Sequence, residues 1–236
     1  MSYKEIHFDS VDSTNLYLKH HYLSLDNFTI VSTDFQSAGK GRYDRVWKSE
    51  KGDNLLFSIL IKDKPLVIKG GYLSLVASVS VAQVLEKYGY KNVTLKWPND
   101  VYINNKKVCG ILLEGQVPEY LVIGIGINVN QETFLGDYHV TPTSLFLESN
   151  QKIDISQFKA DMFDNLVSNL SKVNHLHHVF KAYFHKHNHL DKKEIKFLYD
   201  GQYEVGIVKG IDDDFNLIVL FNKKEIHVSS GEISII

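Results

Sequence analysis

The sequence predicts an α+β chain: a mixed or mainly antiparallel sheet with a few interposed helices, then a small all-β unit. Three observations carry this. Short apolar runs separated by turn residues follow one another from Leu55 onward, as successive hairpins do. Two longer stretches, Leu73 to Leu85 and Phe158 to Leu170, have helical character instead. From about Lys193 the apolar residues alternate at period two.

In chain order, Ile6 and Phe8 alternate with polar residues in a short strand. Asp12-Ser13-Thr14-Asn15 then supplies an N-cap cluster for a helix through Leu16, Leu18, Tyr22 and Leu23. Phe28 to Thr33 is a β-branched run. Residues 35–53 are rich in Gly, Lys and Arg, and a loop of that length inside a domain is commonly functional or disordered. Leu55 to Ile61 reads as a buried strand and Leu73 to Leu85 as a helix apolar nearly all round. Val93-Thr94-Leu95, Val101-Tyr102-Ile103, Val108 to Leu113 and Tyr120 to Val129 follow as strands, with Asn104-Asn105 as a hairpin turn. Asp154 with Gln157 resembles a capping box, opening a helix in which Phe158, Met162, Leu166 and Leu170 share a face. The last unit pairs Ile195/Phe197, Tyr203/Val205/Ile207, Leu217/Val219/Phe221 and Ile226/Val228 across polar turns, which predicts a small barrel or sandwich. The expected domains are 1–190 and 191–236.

A chain of 236 residues, 44% apolar, can bury a large core. A formal net charge of -2 gives no general argument for nucleic acid. The single cysteine, Cys109, excludes an internal disulfide, fits a reducing cytoplasm, and is most simply a small core residue. No export-type N-terminus and no bilayer-spanning run occur, so the expected product is soluble and cytoplasmic, with no membrane partner.

Chemistry concentrates in a few segments. In Gln36-Ser37-Ala38-Gly39-Lys40-Gly41-Arg42-Tyr43-Asp44-Arg45-Val46-Trp47, two glycines flank Lys40 and let backbone N–H groups approach an anion. Arg42 and Arg45 add bidentate donors, and Trp47 offers a flat surface for a ring. A solvated basic loop is the plainer alternative; the phosphate-cradling GxxxxGK[ST] spacing is absent. Lys96-Trp97-Pro98-Asn99-Asp100 sets a lysine, an amide and a carboxylate beside an aromatic wall, or else forms a tight turn around a buried Trp. Lys106-Lys107 enters an apolar strand, where a lysine can reach a phosphate or merely keep a hairpin end soluble. Gly124-Ile125-Gly126-Ile127-Asn128 lacks the third glycine and the following helix of a dinucleotide fingerprint. His175, His177, His178, His185, His187 and His189 crowd one region without metal-ligand spacing. Asp212-Asp213-Asp214 fits a charged turn rather than a calcium loop.

Taken in order, five motifs resemble the catalytic part of biotin–protein ligases. They are Asp12-Ser13-Thr14-Asn15, the Gly-Lys-Gly-Arg…Arg-x-Trp loop, Lys96 to Asp100, Lys107 with Gly110, and Gly124 to Asn128; Gly231-Glu232-Ile233-Ser234 is similar to the family's C-terminal unit. The resemblance runs over nearly the whole chain. It implies a biotin ligase domain of the class II aminoacyl-tRNA-synthetase-like type with a mixed sheet, plus a C-terminal SH3-like β-barrel. It also implies formation of biotinyl-5′-AMP from biotin and Mg2+-bound ATP, then transfer of biotin to a lysine of a biotin carboxyl carrier protein. The catalytic set is Arg42, Lys107, Asp100 and Lys96. Biotin falls to Ser13, Thr14, Asn15, Gln36, Lys40, Gly41, Arg42, Lys107 and Gly110. The adenylate falls to Arg42, Arg45, Trp47, Asn99, Lys107 and Asn128. No protein ligand set is implied for Mg2+, which ATP carries.

Two positions depart from the family pattern: Lys40 stands where Arg is usual, and Asp44 where Gly is frequent. Many relatives carry an N-terminal DNA-binding domain, for which the first strand, within ten residues of Met1, leaves no room. The expectation is therefore no DNA partner and no repressor activity. A homodimer is an open possibility. Competing readings are a lipoate or octanoate ligase, a regulator that binds without transfer, and a nucleic-acid-binding module.

Overall fold

Tyr120–Asn128 becomes the central strand of a seven-stranded sheet. The computed structural model describes residues 3–229, 231 and 233–236, with Asp44 described in its backbone alone. Its first elements are β1 (Lys4–Phe8), α1 (Thr14–His21), β2 (Thr29–Thr33), β3 (Asn54–Ile61), α2 (Lys64–Val67) and α3 (Gly70–Lys87). Then come β4 (Val93–Lys96), β5 (Asp100–Ile103), β6 (Lys106–Gln116), β7 (Tyr120–Asn128), α4 (Leu145–Ser149), α5 (Ile155–Lys172) and α6 (His177–His187). The C-terminal strands are β8 (Glu194–Tyr199), β9 (Gln202–Ile211), β10 (Leu217–Phe221), β11 (Lys224–Val228) and β12 (Ile233–Ile235).

The large sheet has the order β1-β2-β3-β7-β6-β5-β4. β1 and β2 run parallel and every other pair is antiparallel, which is the mixed sheet expected. Asn104 and Asn105 both take positive φ in the β5–β6 turn, as a two-residue hairpin requires. Ser13 caps α1 by accepting the Leu16 N–H, and Asp154 caps α5 by accepting from Ser156 and Gln157. Phe158, Met162, Leu166 and Leu170 are all buried, each worth about 2 kcal/mol of transfer free energy. The one-turn helices α2 and α4 are too short to leave a periodic signal.

Strand parity then separates a core face from a site face. Ile123, Ile125 and Ile127 of β7 join Leu55, Phe57 and Ile59 of β3 in the main core beneath α3 and α5. On the opposite face Leu18 of α1 covers Val31, Leu60 and Val122 in a smaller cluster. Beyond that cluster, the same face carries Ser58, Gly124, Gly126 and Asn128, because side chains alternate along each strand. Gly124 to Asn128 is thus a strand with a bare outer face.

The C-terminal unit is a five-stranded antiparallel sheet in the order β11-β10-β9-β8-β12. The expected barrel is not closed: no β11–β12 pairing occurs among the described residues. Glu232 of the Gly231-Glu232-Ile233-Ser234 match lies outside them, as does the Asp44 side chain. On β9 the apolar alternation faces outward: Tyr203, Val205 and Ile207 are 60%, 45% and 39% exposed. The buried face is Gly206, Val208 and Gly210, because Val219, Phe197 and His185 already fill the space where side chains would go. Trp97 Nε1 donates to the Phe215 carbonyl at 2.8 Å, and Tyr72 stacks on the Phe215 ring, tying this sheet to the large domain. Among the described residues, no helix is long and apolar enough to cross a membrane.

Candidate active site

A cavity of about 960 Å³ opens over the bare face of β6 and β7, walled by the 36–48 loop, the 96–100 turn and the 134–142 loop. Gly231, Ile233 and Ser234 of the C-terminal unit reach its edge. Every site residue named from the sequence lines this one cavity. Its size suits a ligand larger than a single nucleotide base.

The floor is made of glycine by necessity. Gly110 and Gly126 pair across β6 and β7, and the Trp47 indole lies on them. A Cβ on Gly126 would sit 2.6–2.8 Å from that ring, and one on Gly110 would sit 2.7 Å from it. Gly124 supports Asn15, whose Oδ1 would be 2.2 Å from an added Cβ. Trp47 Nε1 and Asn128 Oδ1 are buried with no hydrogen-bond partner among the described residues. Each is a desolvated group that a ligand can satisfy.

The basic loop is folded back on the domain. Ser37 and Ala38 N–H groups donate to Val11 and Asp12 carbonyls, Trp47 N–H to Gly39, and Gly41 N–H to Arg45. A bridge between Lys40 and Val46 closes the tip. Arg42 reaches inward, 3.5 Å from Asn99 Oδ1 and 3.1 Å from the Tyr43 hydroxyl. Lys40 and Arg45 are exposed at the rim.

The Lys96–Asp100 segment satisfies both of its sequence readings. Trp97 is buried in the core, so the turn around a buried Trp is present. Asn99 and Asp100 nevertheless face the cavity. Asn99 is fixed by donating Nδ2–H to the Ile111 carbonyl at 2.7 Å, while its own carbonyl accepts the Ile111 N–H. Asp100 Oδ1 lies 2.6 Å from Lys107 Nζ; the contact is an ion pair whose angles do not make a directed hydrogen bond. Lys107 is itself held by backbone bonds to Thr141 and Thr143. Lys96 lies 5.8 Å from the Tyr102 ring. His189 stacks on the same Tyr102 ring at 4.6 Å and bonds to Thr94. Burial, then the charges of Lys193 and Lys96, push the His189 imidazole down to about 4.

At the far end, Thr14 N–H donates to Gln36 Oε1 at 2.9 Å, and Thr14 Oγ1 lies 2.6 Å from Ser58 Oγ. Asn15 binds Ser58 and Glu114, so its amide is consumed by the protein. Lys19, Glu114 and the 134–142 loop carry no signal in the sequence that marks them as part of a site. For Ser58 the one sign is that it is the single polar residue within Leu55 to Ile61. The other histidines disperse: His177 contacts the Asp213 carbonyl and His187 the Val93 carbonyl. Cys109 is buried, which pushes its thiol far above the ordinary range. Asp212 accepts from Asp214, Asn216 and His227, a closed turn.

Fold and cavity together define a two-unit architecture: an α+β domain whose sheet carries a basic, ring-sized cleft, edged by a small antiparallel sheet. Residues 7–128 match the model of the biotin/lipoate A/B protein ligase family, and 193–235 that of the biotin protein ligase C-terminal domain. The chain belongs to the biotin/lipoate A/B protein ligase family. It is similar to the biotin protein ligase of Aquifex aeolicus in complex with biotin and ATP, with a TM-score of 0.86 and 30% identity, covering 98% of each chain. The bifunctional ligase/repressor of Bacillus subtilis is 40% identical over 132 residues, 53% of this chain and 41% of that protein. The biotin--[acetyl-CoA-carboxylase] ligase of Mycobacterium tuberculosis is 26% identical over 211 residues, 86% of this chain and 77% of that protein. The match thus spans less than half the length of the ligase/repressor.

Proposed function

We propose that this chain is a biotin–protein ligase that activates biotin with Mg2+-bound ATP and transfers it to a lysine of a biotin carrier domain. The observation that carries the reading is one cavity with hydrogen-bonding groups for a small polar head at one end and Arg42, Lys107, Asp100 and an aromatic platform at the other. In the first step a biotin carboxylate oxygen attacks the α-phosphorus and pyrophosphate departs. Two anions must meet, so concentrated positive charge and positioning supply the catalysis. Arg42 and Lys107 clamp the carboxylate and α-phosphate, with Lys40 and Arg45 assisting from the rim. Trp47 and Asn128 take the adenylate. The magnesium ion enters with the nucleotide, and no step is assigned to a protein ligand for it.

In the second step the carrier's lysine amine attacks the acyl carbon and AMP leaves. Asp100 receives the amine's proton, and Lys96 and Asn99 orient the groups around it. Lys40, a point charge where Arg is usual, makes a weaker clamp at the rim. The folded 36–48 loop keeps water from the hydrolysable mixed anhydride. The test is incubation with biotin, ATP and a biotin carrier domain, against lipoate and a lipoyl domain, read by intact-protein mass. Addition of one biotinyl group to the biotin carrier alone is expected; modification with lipoate alone overturns the reading.

A further inference from the structure

We propose that Glu114 is a positioning residue that fixes the direction of the hydrogen bonds in the head-group pocket. It leaves Thr14 Oγ1 facing the ligand only as an acceptor. The proposal rests on the biotin reading above and names the feature of the head group that this pocket selects.

The chain of contacts begins on α1, where Asn15 and Lys19, four residues apart, present one face to β6. Lys19 Nζ lies 2.6 Å from Glu114 Oε1, and Asn15 Nδ2 lies 2.8 Å from Glu114 Oε2. Burial alone would raise the Glu114 carboxyl. The bonds from Lys19 and Asn15, with the charges of Lys19 and Lys40, outweigh that and hold it below the usual carboxylate range. An ionised carboxylate only accepts, so Asn15 must turn its amino group toward it. Its Oδ1 then faces Ser58, 2.6 Å away, and Ser58 must donate there. Ser58 has a single proton. Its 2.6 Å contact with Thr14 Oγ1 therefore needs the Thr14 proton. Were that proton turned to Gln36 Oε1, 3.1 Å away, two hydroxyl oxygens would face each other at 2.6 Å with no proton between them.

Thr14 thus keeps lone pairs alone for the cavity. Gln36, whose Oε1 already accepts the Thr14 amide, has its amino group as donor. An acceptor beside a donor complements an N–H beside a C=O, as in a cyclic urea. A dithiolane or plain alkyl chain offers neither and would strand both groups. The relay has little freedom to reverse: Ser58, Thr14 and Asn15 are all buried, and Asn15 rests on the bare backbone of Gly124.

The experiment uses biotin and its two cyclic carbamate analogues, in which one or the other ureido N–H is replaced by oxygen. These analogues turn a donor into an acceptor at constant shape. With the native protein, kcat/KM for biotin should exceed that for at least one carbamate by about tenfold or more. In Glu114→Gln and in Ser58→Ala, which removes only one oxygen, Thr14 is released to donate and that ratio should fall below about threefold, while KM for ATP holds. A collapse in either variant supports the relay, since a merely structural role would raise KM for all three ligands alike. Retention of the native ratio in both variants, or a native ratio near one, overturns it. Failure of the native protein to adenylate any of the three would instead overturn the biotin reading beneath it.

Discussion

The two ends of the cavity are built on opposite principles. At the head end the side chains are held in place by partners within the protein: Ser13 accepts from Leu16, Thr14 pairs with Gln36 and Ser58, and Asn15 pairs with Ser58 and Glu114. At the reacting end Trp47 Nε1 and Asn128 Oδ1 are buried without hydrogen-bond partners among the described residues, and Asp100 meets Lys107 there as an ion pair. A prebuilt pocket loses little entropy on binding and reads shape and donor pattern. An unsatisfied one keeps its interactions for a ligand with the matching charges, as a site must when its best partner is the transition state.

The largest effect should come from the reacting end. Lys107→Ala removes the cation between Asp100 and the Trp47 platform. Adenylate formation, followed by pyrophosphate release, should fall about 10²–10³-fold. Biotin binding measured by calorimetry should weaken far less, because the head-end contacts stay in place. A fall of less than tenfold in pyrophosphate release would remove Lys107 from the reacting centre.

Two glycines on one strand give a sharper test of the division. Gly126→Ala pushes a methyl into the Trp47 indole, whereas Gly124→Ala pushes one into Asn15. Crowding of this kind costs about 1–3 kcal/mol. Gly126→Ala should therefore raise KM for ATP about tenfold and spare biotin, and Gly124→Ala should do the reverse. If both substitutions raise the same KM, the cavity is one site and not two ends.

How much of this was legible depends on the range of the interactions. The strands, the caps of α1 and α5, and the mixed sheet follow from local spacing, and α1, α3 and α5 were readable as helices; α6, which buries only Phe180 and Phe184 amid its histidines and lysines, was not. Asp12 to Asn15 stood out as an N-cap cluster, and Lys96 to Asp100 because Trp and Pro beside three polar side chains suit neither a strand interior nor an ordinary loop. Gly124, Gly126 and Asn128 were visible as a pattern, yet only register against Gly110 and Ser58 explains why alternate positions carry no side chain. Lys19 and Glu114 lie 95 residues apart, so nothing local announces their pairing. On β9 the apolar alternation predicted a strand but could not say which face is buried, because Gly206 and Gly210 make room for Val219 and His185. Closure of a barrel likewise depends on edges that periodicity does not describe.

The smallest predicted effect separates the two ends by pH. His189 is 7% exposed, stacked on Tyr102 at the reacting end, with its imidazole held down to about 4. An unfolded histidine titrates near 6.5, so between these values the unfolded chain binds the extra proton. Stability from this group is therefore complete above about 6.5 and declines as pH falls toward 4, by at most roughly 3 kcal/mol. Glu114 behaves oppositely in position, since its carboxyl is held below the usual range and stays charged until lower pH. Acid should thus loosen the reacting end first. Between pH 7 and pH 5, KM for ATP should rise before KM for biotin, and the urea midpoint should drop. In His189→Gln the drop in midpoint should shrink; an undiminished drop would assign the acid sensitivity to other groups.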